Sequence, residues 1–67
     1  MTVVLCRLGE LDLQEKQPES ARRRFEEALR YAPHHLRARR GLAAAHLDLG
    51  QPEYARAVLS PALLEFP

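Results

Sequence analysis

The stretch Gln17-Pro18-Glu19-Ser20-Ala21 returns 34 positions later as Gln51-Pro52-Glu53-Tyr54-Ala55. A proline in the first turn of a helix costs no backbone hydrogen bond, because that N–H has no partner inside the helix. A glutamate beside it is favoured by the positive end of the helix dipole. Each copy of the stretch therefore predicts the start of an α-helix.

The match extends outward from this stretch at the same offset and without a gap. Self-similarity at a period in this range indicates stacked helical units. We therefore predict a single domain, 1–67, made of one repeat at 1–33 and a second at 34–67. The matching residues include Leu8 with Leu42, Leu13 with Leu47, Ala28-Leu29 with Ala62-Leu63, and Pro33 with Pro67.

Each repeat is predicted to hold two helices. Leu5, Leu8 and Leu11 follow one another at a spacing of three, which indicates the buried stripe of the first helix. Gly50 can adopt a positive φ and is a good terminator for the third. The predicted helices run from Thr2 to Glu15, from Pro18 to a stop at Pro33, from about His35 to Leu49, and from Pro52 to Glu65.

Small residues at matching places predict close contact between the helices of a repeat. Gly9 or Ala43 on the first helix and Ala21 or Ala55 on the second would let the two helices approach, and Phe25 or Leu59 would fill the space between them. Pro61 falls inside the last predicted helix, where it clashes with the carbonyl of Ala57. We therefore expect a bend or break between Ala57 and Pro61.

These residues resemble the tetratricopeptide repeat family, whose consensus is W-x2-L-G-x2-Y…A-x3-F…P over 34 residues. The resemblance implies an all-α fold, an α-solenoid of two helix-turn-helix repeats whose four antiparallel helices stack in a right-handed superhelix. Repeat one offers Leu5-x2-Leu8-Gly9-x2-Asp12, Ala21-x3-Phe25, Ala28 and Pro33, and repeat two offers Arg39-x2-Leu42-Ala43-x2-His46, Ala55-x3-Leu59, Ala62 and Pro67.

The chain departs from the family pattern at three positions, two of them in both repeats and one in repeat one alone. Leu5 and Arg39 stand where the family has Trp, and Asp12 and His46 where it has Tyr. Lys16 stands where repeat two has Gly50. The loss of aromatic bulk predicts looser packing of the first helices.

The resemblance also implies a protein-interaction module that holds a peptide or partner protein on the concave face of its first helices. On that face, Val3, Cys6 and Leu13 would form an apolar strip, and Arg37 and Arg40 a cationic end. This combination favours an acidic peptide with an apolar anchor. A solvated helix start is the alternative reading of the arginines. Carried over by position, the concave face comprises Val3, Cys6, Glu10, Leu13, Gln14, Arg37, Arg40, Ala44, Leu47 and Asp48.

Self-assembly is the alternative function. Repeat arrays normally need three or more units, because each unit buries its apolar face against the next. A piece of a longer array and a small homo-oligomeric protein both remain open. The expected edge for such contacts is the last helix, with Leu59, Leu63, Leu64 and Phe66.

Composition argues against several other functions. The single cysteine, Cys6, allows no internal disulfide and is expected to be a buried thiol. A net charge of +1 suggests neither a nucleic-acid-binding nor a membrane-surface protein. The apolar run at 1–5 is too short for a signal peptide, so we expect a cytoplasmic protein.

Charged and titratable clusters give no catalytic or cofactor prediction. The arginines at 22–24 are followed within two helical turns by Glu26 and Glu27. We expect Arg22 to pair with Glu26 and Arg23 with Glu27, each four residues apart. Such pairs indicate a charged outer face. His34, His35 and His46 show no metal-ligand spacing, so no metal site is expected. No arrangement typical of an enzyme is present, and no cofactor is predicted.

Overall fold

The computed structural model describes residues 1–59 and shows α-helices connected by short turns. The predicted all-α fold is confirmed. Each helix packs on the next, and α1 also packs on α3. The predicted bend at Pro61, the end of the last helix at Glu65, and Leu63, Leu64 and Phe66 lie outside the described residues. The helices are α1 (Thr2–Gln14), α2 (Pro18–Tyr31), α3 (Leu36–Asp48) and α4 (Pro52–Leu59).

The turn after α1 closes with two backbone hydrogen bonds. The N–H of Gln17 donates to the carbonyl of Asp12 at 2.8 Å, and the N–H of Lys16 donates to that of Leu13 at 3.1 Å. This pair of bonds defines a Schellman motif, which satisfies carbonyls that the helix leaves without partners. The motif requires a left-handed residue, and Lys16 takes that place with φ of 59°.

The turn after α3 repeats this motif 34 positions later. Gln51 donates to His46 at 2.8 Å, and Gly50 donates to Leu47 at 3.0 Å. Gly50 has φ of 75°, as predicted for the residue that ends this helix. Glycine adopts this conformation without steric strain, whereas a residue with a Cβ atom is strained there. The first repeat therefore carries strain at Lys16 that the second repeat avoids.

The second helix begins at the predicted residue, and the third begins one residue later than predicted. Pro18 lies in the first turn of α2 and is followed there by Glu19. The third helix starts at Leu36, and His35, which we placed inside it, is instead its N-cap. The His35 Nδ1 accepts a hydrogen bond from the N–H of Ala38 at 3.3 Å. Histidine is not among the common capping residues, so its type alone did not indicate the role.

Phe25 is the centre of the core and is completely buried. A Cβ atom added at Gly9 would lie 2.7 Å from the Cε2 and Cζ atoms of the ring. One added at Gly41 would lie closer still to the same ring. The predicted packing of Phe25 against Gly9 is confirmed, and Ala21 is fully buried in the same core cluster as Phe25. Gly41, which the consensus does not mark, was missed.

Two apolar residues are less buried than predicted. Leu11 was assigned to the buried stripe with Leu5, but its side chain is 48% exposed. It lies on the side of α1 where no described helix packs. Leu59 does not fill an interhelical space as Phe25 does, and it is 46% exposed.

Candidate functional site

The predicted concave residues all lie on α1 or α3, the first helices of the two repeats. These two helices are in contact, and Arg37 on α3 reaches Glu10 on α1. We call the accessible members of this set the groove face. They are the exposed Val3, Gln14, Arg37, Arg40, Leu47 and Asp48 and the half-buried Glu10, Leu13 and Ala44.

Cys6 is the member of the predicted set that the structure removes from this face. Its exposed fraction is 0%, and it belongs to the same core cluster as Leu5 and Phe25. Burial raises the pKa of its thiol, and the nearby positive charge of Arg37 opposes this only in part. Its placement in the apolar strip of the groove is therefore wrong, whereas the expected buried thiol is confirmed. The helical spacing that placed Cys6 beside Val3 did not show that it is buried in the core.

An ion pair crosses the groove face and joins the two repeats. The Arg37 Nε donates to Glu10 Oε2 at 2.7 Å, and its Nη2 donates to Oε1 at 2.6 Å. This two-point geometry is the strongest form of a guanidinium–carboxylate contact. The hydrogen bond from Arg37 is the main reason why the pKa of Glu10 lies below its usual value. Glu10 thus already neutralises Arg37. Of the two arginines in the predicted cationic end, Arg40 is the other.

A shallow depression lies at one end of the groove face. Leu13 and Pro18 supply its apolar lining, and Lys16 and Asp48 stand at its rim. The surface therefore combines an ion pair, an accessible guanidinium, exposed apolar side chains and one apolar recess.

Comparison with known proteins identifies the type of domain. A family model described as tetratricopeptide repeat matches residues 12–67, which is most of the chain. The chain belongs to the tetratricopeptide repeat family. Members of this family generally mediate protein–protein interactions and are non-catalytic modules. No curated protein and no solved structure gave a significant match.

At the consensus tyrosine position of the tetratricopeptide repeats, polar contacts replace the aromatic ring. In repeat one, Asp12 Oδ2 accepts from Arg24 Nε at 3.4 Å. In repeat two, the buried His46 has its Nδ1 2.9 Å from Gln51 Oε1 and its ring stacked on Tyr54, with centroids 5.4 Å apart. Each substitution thus makes a specific contact with its neighbouring helix or turn.

At the consensus tryptophan position of the second repeat, Arg39 makes backbone contacts. Its Nη2 and Nε donate to the carbonyl of Val58 at 2.7 and 3.1 Å, and its Nη1 donates to the carbonyl of Pro33 at 3.0 Å. Arg39 therefore ties α3 to the described end of α4 and to the turn that precedes α3. Sequence reasoning missed this role because the partners are backbone atoms.

The outer face of α2 carries paired charges. Arg22 contacts Glu19 and also donates to Glu26 Oε1 at 2.9 Å, which confirms the predicted Arg22–Glu26 pair. The expected pair of Arg23 with Glu27 does not form an ion pair.

The described residues contain no arrangement suited to a metal ion or a membrane span. Within 1–59, no group of three His, Cys, Asp or Glu side chains is placed to hold a metal. Of the histidines, His35 caps α3 and His46 contacts Gln51. None of the helices in that range is both long and apolar enough to cross a membrane.

Proposed function

We propose that this tetratricopeptide domain binds an extended segment of a partner protein along the groove face. The observation that carries the proposal is the Glu10–Arg37 ion pair between α1 and α3. A contact at two points adds to the packing of the two helices and restricts their relative motion before any ligand binds. A surface that is already ordered loses less entropy on binding.

The charges and apolar groups of this face favour a ligand of particular chemistry. Because Glu10 neutralises Arg37, the exposed Arg40 is the group available to a ligand carboxylate. The exposed Leu47 lies two helical turns from Arg40 on the same face of α3. We expect the segment to carry an acidic side chain for Arg40 and an apolar side chain that enters the recess lined by Leu13.

Fluorescence anisotropy with labelled peptides tests this proposal. One peptide combines a leucine anchor with acidic residues, and a matched peptide has the acids replaced by their amides. Arg40→Ala is expected to weaken binding of the acidic peptide about fivefold, as for loss of one accessible charge pair. Arg30→Ala, at an exposed arginine on α2, is the control and should leave affinity unchanged. Equal affinities of the parent chain and Arg40→Ala for the acidic peptide would refute the role of this face.

Self-association is the second candidate function, and the exposed Leu59 favours it. The rest of the proposed edge, Leu63, Leu64 and Phe66, lies outside the described residues. Light scattering over a concentration series separates the two functions, because a mass that stays at that of one chain argues against self-association.

We propose a cytoplasmic location, because the single Cys6 is buried and has no cysteine partner within the chain. Fractionation of cells that express a tagged chain tests this, and recovery in a secreted fraction would contradict it.

A further inference from the structure

One side of α3 joins the accessible guanidinium of the groove face to its apolar recess. Arg40, Ala44 and Asp48 follow one another at a spacing of four, so they form a single ridge along the helix. Arg40 and Asp48 are exposed, and neither forms an ion pair with any residue in the range 1–59. Ala44 lies between them and is half-buried. We call these three residues the α3 ridge.

The α3 ridge ends at the apolar recess. Asp48 stands at the rim of this recess, and Leu13 and Pro18 line it. Arg40 comes two ridge steps earlier on the same helix, which is about 12 Å along the helix axis at about 1.5 Å per residue. A ligand that contacts Arg40 and also fills the recess must therefore span about this distance.

The steps of the α3 ridge match those of an extended chain. One ridge step of four helical residues advances about 6.0 Å, and two residues of an extended segment advance about 6.6 Å. Alternate side chains of an extended segment point to the same side. The first, third and fifth residues of such a segment can therefore face Arg40, Ala44 and Asp48 in turn. A separation of three or five residues would turn one of the two end side chains away from the ridge.

The two ends of the α3 ridge favour different chemistry. The guanidinium of Arg40 favours a carboxylate. At the other end, Lys16 and Asp48 carry opposite charges on the rim of the recess, so its apolar lining selects an apolar side chain rather than a second acid. Between the two ends, the methyl group of Ala44 leaves room for the middle side chain and has no charge to select it.

We infer that the partner segment is extended and carries an acidic residue and a large apolar residue four positions apart. This inference rests on the proposed function, because it specifies the ligand of the groove face. The distance from Arg40 to the recess sets the separation. It is the same for both chain directions, so both orders of the two residues are tested.

A series of labelled peptides measures the preferred separation by fluorescence anisotropy. Each peptide has one glutamate and one leucine in a background of serine and threonine, which are weak helix formers. The separation of the two residues runs from two to seven positions, in both orders. In the better order, a separation of four is expected to bind about fivefold tighter than three or five. Glutamine in place of glutamate is the matched control and should remove this peak.

A double variant moves the guanidinium by one helical turn. Leu36 is 51% exposed and precedes Arg40 by one ridge step on the same side of α3. Leu36→Arg combined with Arg40→Ala keeps the net charge and places the cation about 6 Å further from the recess. The best separation is then expected to rise from four to six. Circular dichroism verifies that the fold is kept.

A charge reversal gives a second, independent measurement. Arg40→Glu alone is expected to remove the peak for the glutamate peptides. Lysine in place of glutamate in the peptides should restore it at a separation of four, which a damaged fold could not do.

Two results would overturn the inference. The first is binding of the acidic peptides that depends on Arg40 but does not vary with separation, which would leave the proposed function intact. The second is a best separation that stays at four in the double variant. Binding that is independent of Arg40 at every separation would instead refute the proposed function, and this inference with it.

Discussion

The contact between Gly9 and Phe25 makes a quantitative prediction about stability. An alanine at position 9 would place its Cβ atom 2.7 Å from two atoms of the buried ring and 3.0 Å from a third. Carbon atoms prefer a separation of about 3.5–4.0 Å, so the overlap is substantial. The ring cannot move away freely, because it is completely buried and also lies against Gly41, where an added Cβ atom would overlap it.

The expected magnitude follows from two opposing effects. Glycine to alanine within a helix gains about 1 kcal/mol from helix propensity. Overpacking of a well-filled core costs about 1–3 kcal/mol. Gly9→Ala is therefore expected to lower the free energy of unfolding by about 1 kcal/mol, which is a drop of roughly 4–8 °C in Tm for a domain of this size. A core this small supplies only about 3–5 kcal/mol, so the loss is readily measured.

Repeat two suggests the compensating change, because it has Ala43 and Leu59 where repeat one has Gly9 and Phe25. Phe25→Leu alone is expected to cost about 1–2 kcal/mol through the cavity that it leaves. In the double variant the new methyl group occupies part of that cavity. The combined loss should be smaller than the sum of the single losses by about 1 kcal/mol.

Urea denaturation followed by circular dichroism measures all four members of this cycle. A Gly9→Ala variant that is more stable than the parent by the full propensity gain would refute the reasoning. Additive losses in the double variant would also refute it, because they would show that the two positions do not share the same space.

The remaining predictions concern the turn after α1, the ion pair and the buried thiol. Lys16→Gly should raise the free energy of unfolding by about 0.5–1 kcal/mol in the same assay, because glycine relieves the strain of the left-handed conformation. Gly50→Ala should lower the free energy of unfolding for the same reason. No gain in stability from Lys16→Gly would contradict this. The folded-state pKa of Glu10 is lowered, so its stabilising effect is present above roughly pH 4 and is lost as pH falls through that lowered pKa. Glu10→Gln should therefore have a lower urea midpoint than the parent near pH 7, and the difference should shrink as the pH is lowered below about 4; a difference that grows in acid would contradict the sign. Cys6 should react slowly with a thiol reagent in the native state and rapidly in urea, and fast reaction without denaturant would show that it is accessible.

The offset of 34 predicts the helices well because it marks residues with the same local role. Pro18 and Gly50 act at helix ends, where local chemistry decides the conformation, and both behave as expected. The same offset also pairs Lys16 with Gly50. Lysine does not favour a positive φ, so its own type gives no indication of this conformation, whereas its place in the repeat does.

The offset does not predict contacts between positions that are not equivalent. Glu10 and Arg37 form the ion pair across the groove face, but their counterparts, Ala44 and Val3, are uncharged. Cys6 has the helical spacing of a groove residue but is buried in the core cluster that α1, α2 and α3 form together. Such contacts depend on how one repeat sits on the next, and a period along the chain carries no information about that geometry.

One aromatic ring belongs to both units of this short array. Phe25 fills the gap beside Gly9 in its own repeat and beside Gly41 in the next. In a one-dimensional description of repeat proteins, stability divides into a term for each unit and a term for each junction. Here the two terms share the same atoms, so neither repeat can lose the ring without weakening the other. The two units should therefore unfold as one cooperative block, and a lone copy of the first would leave its largest core side chain half uncovered.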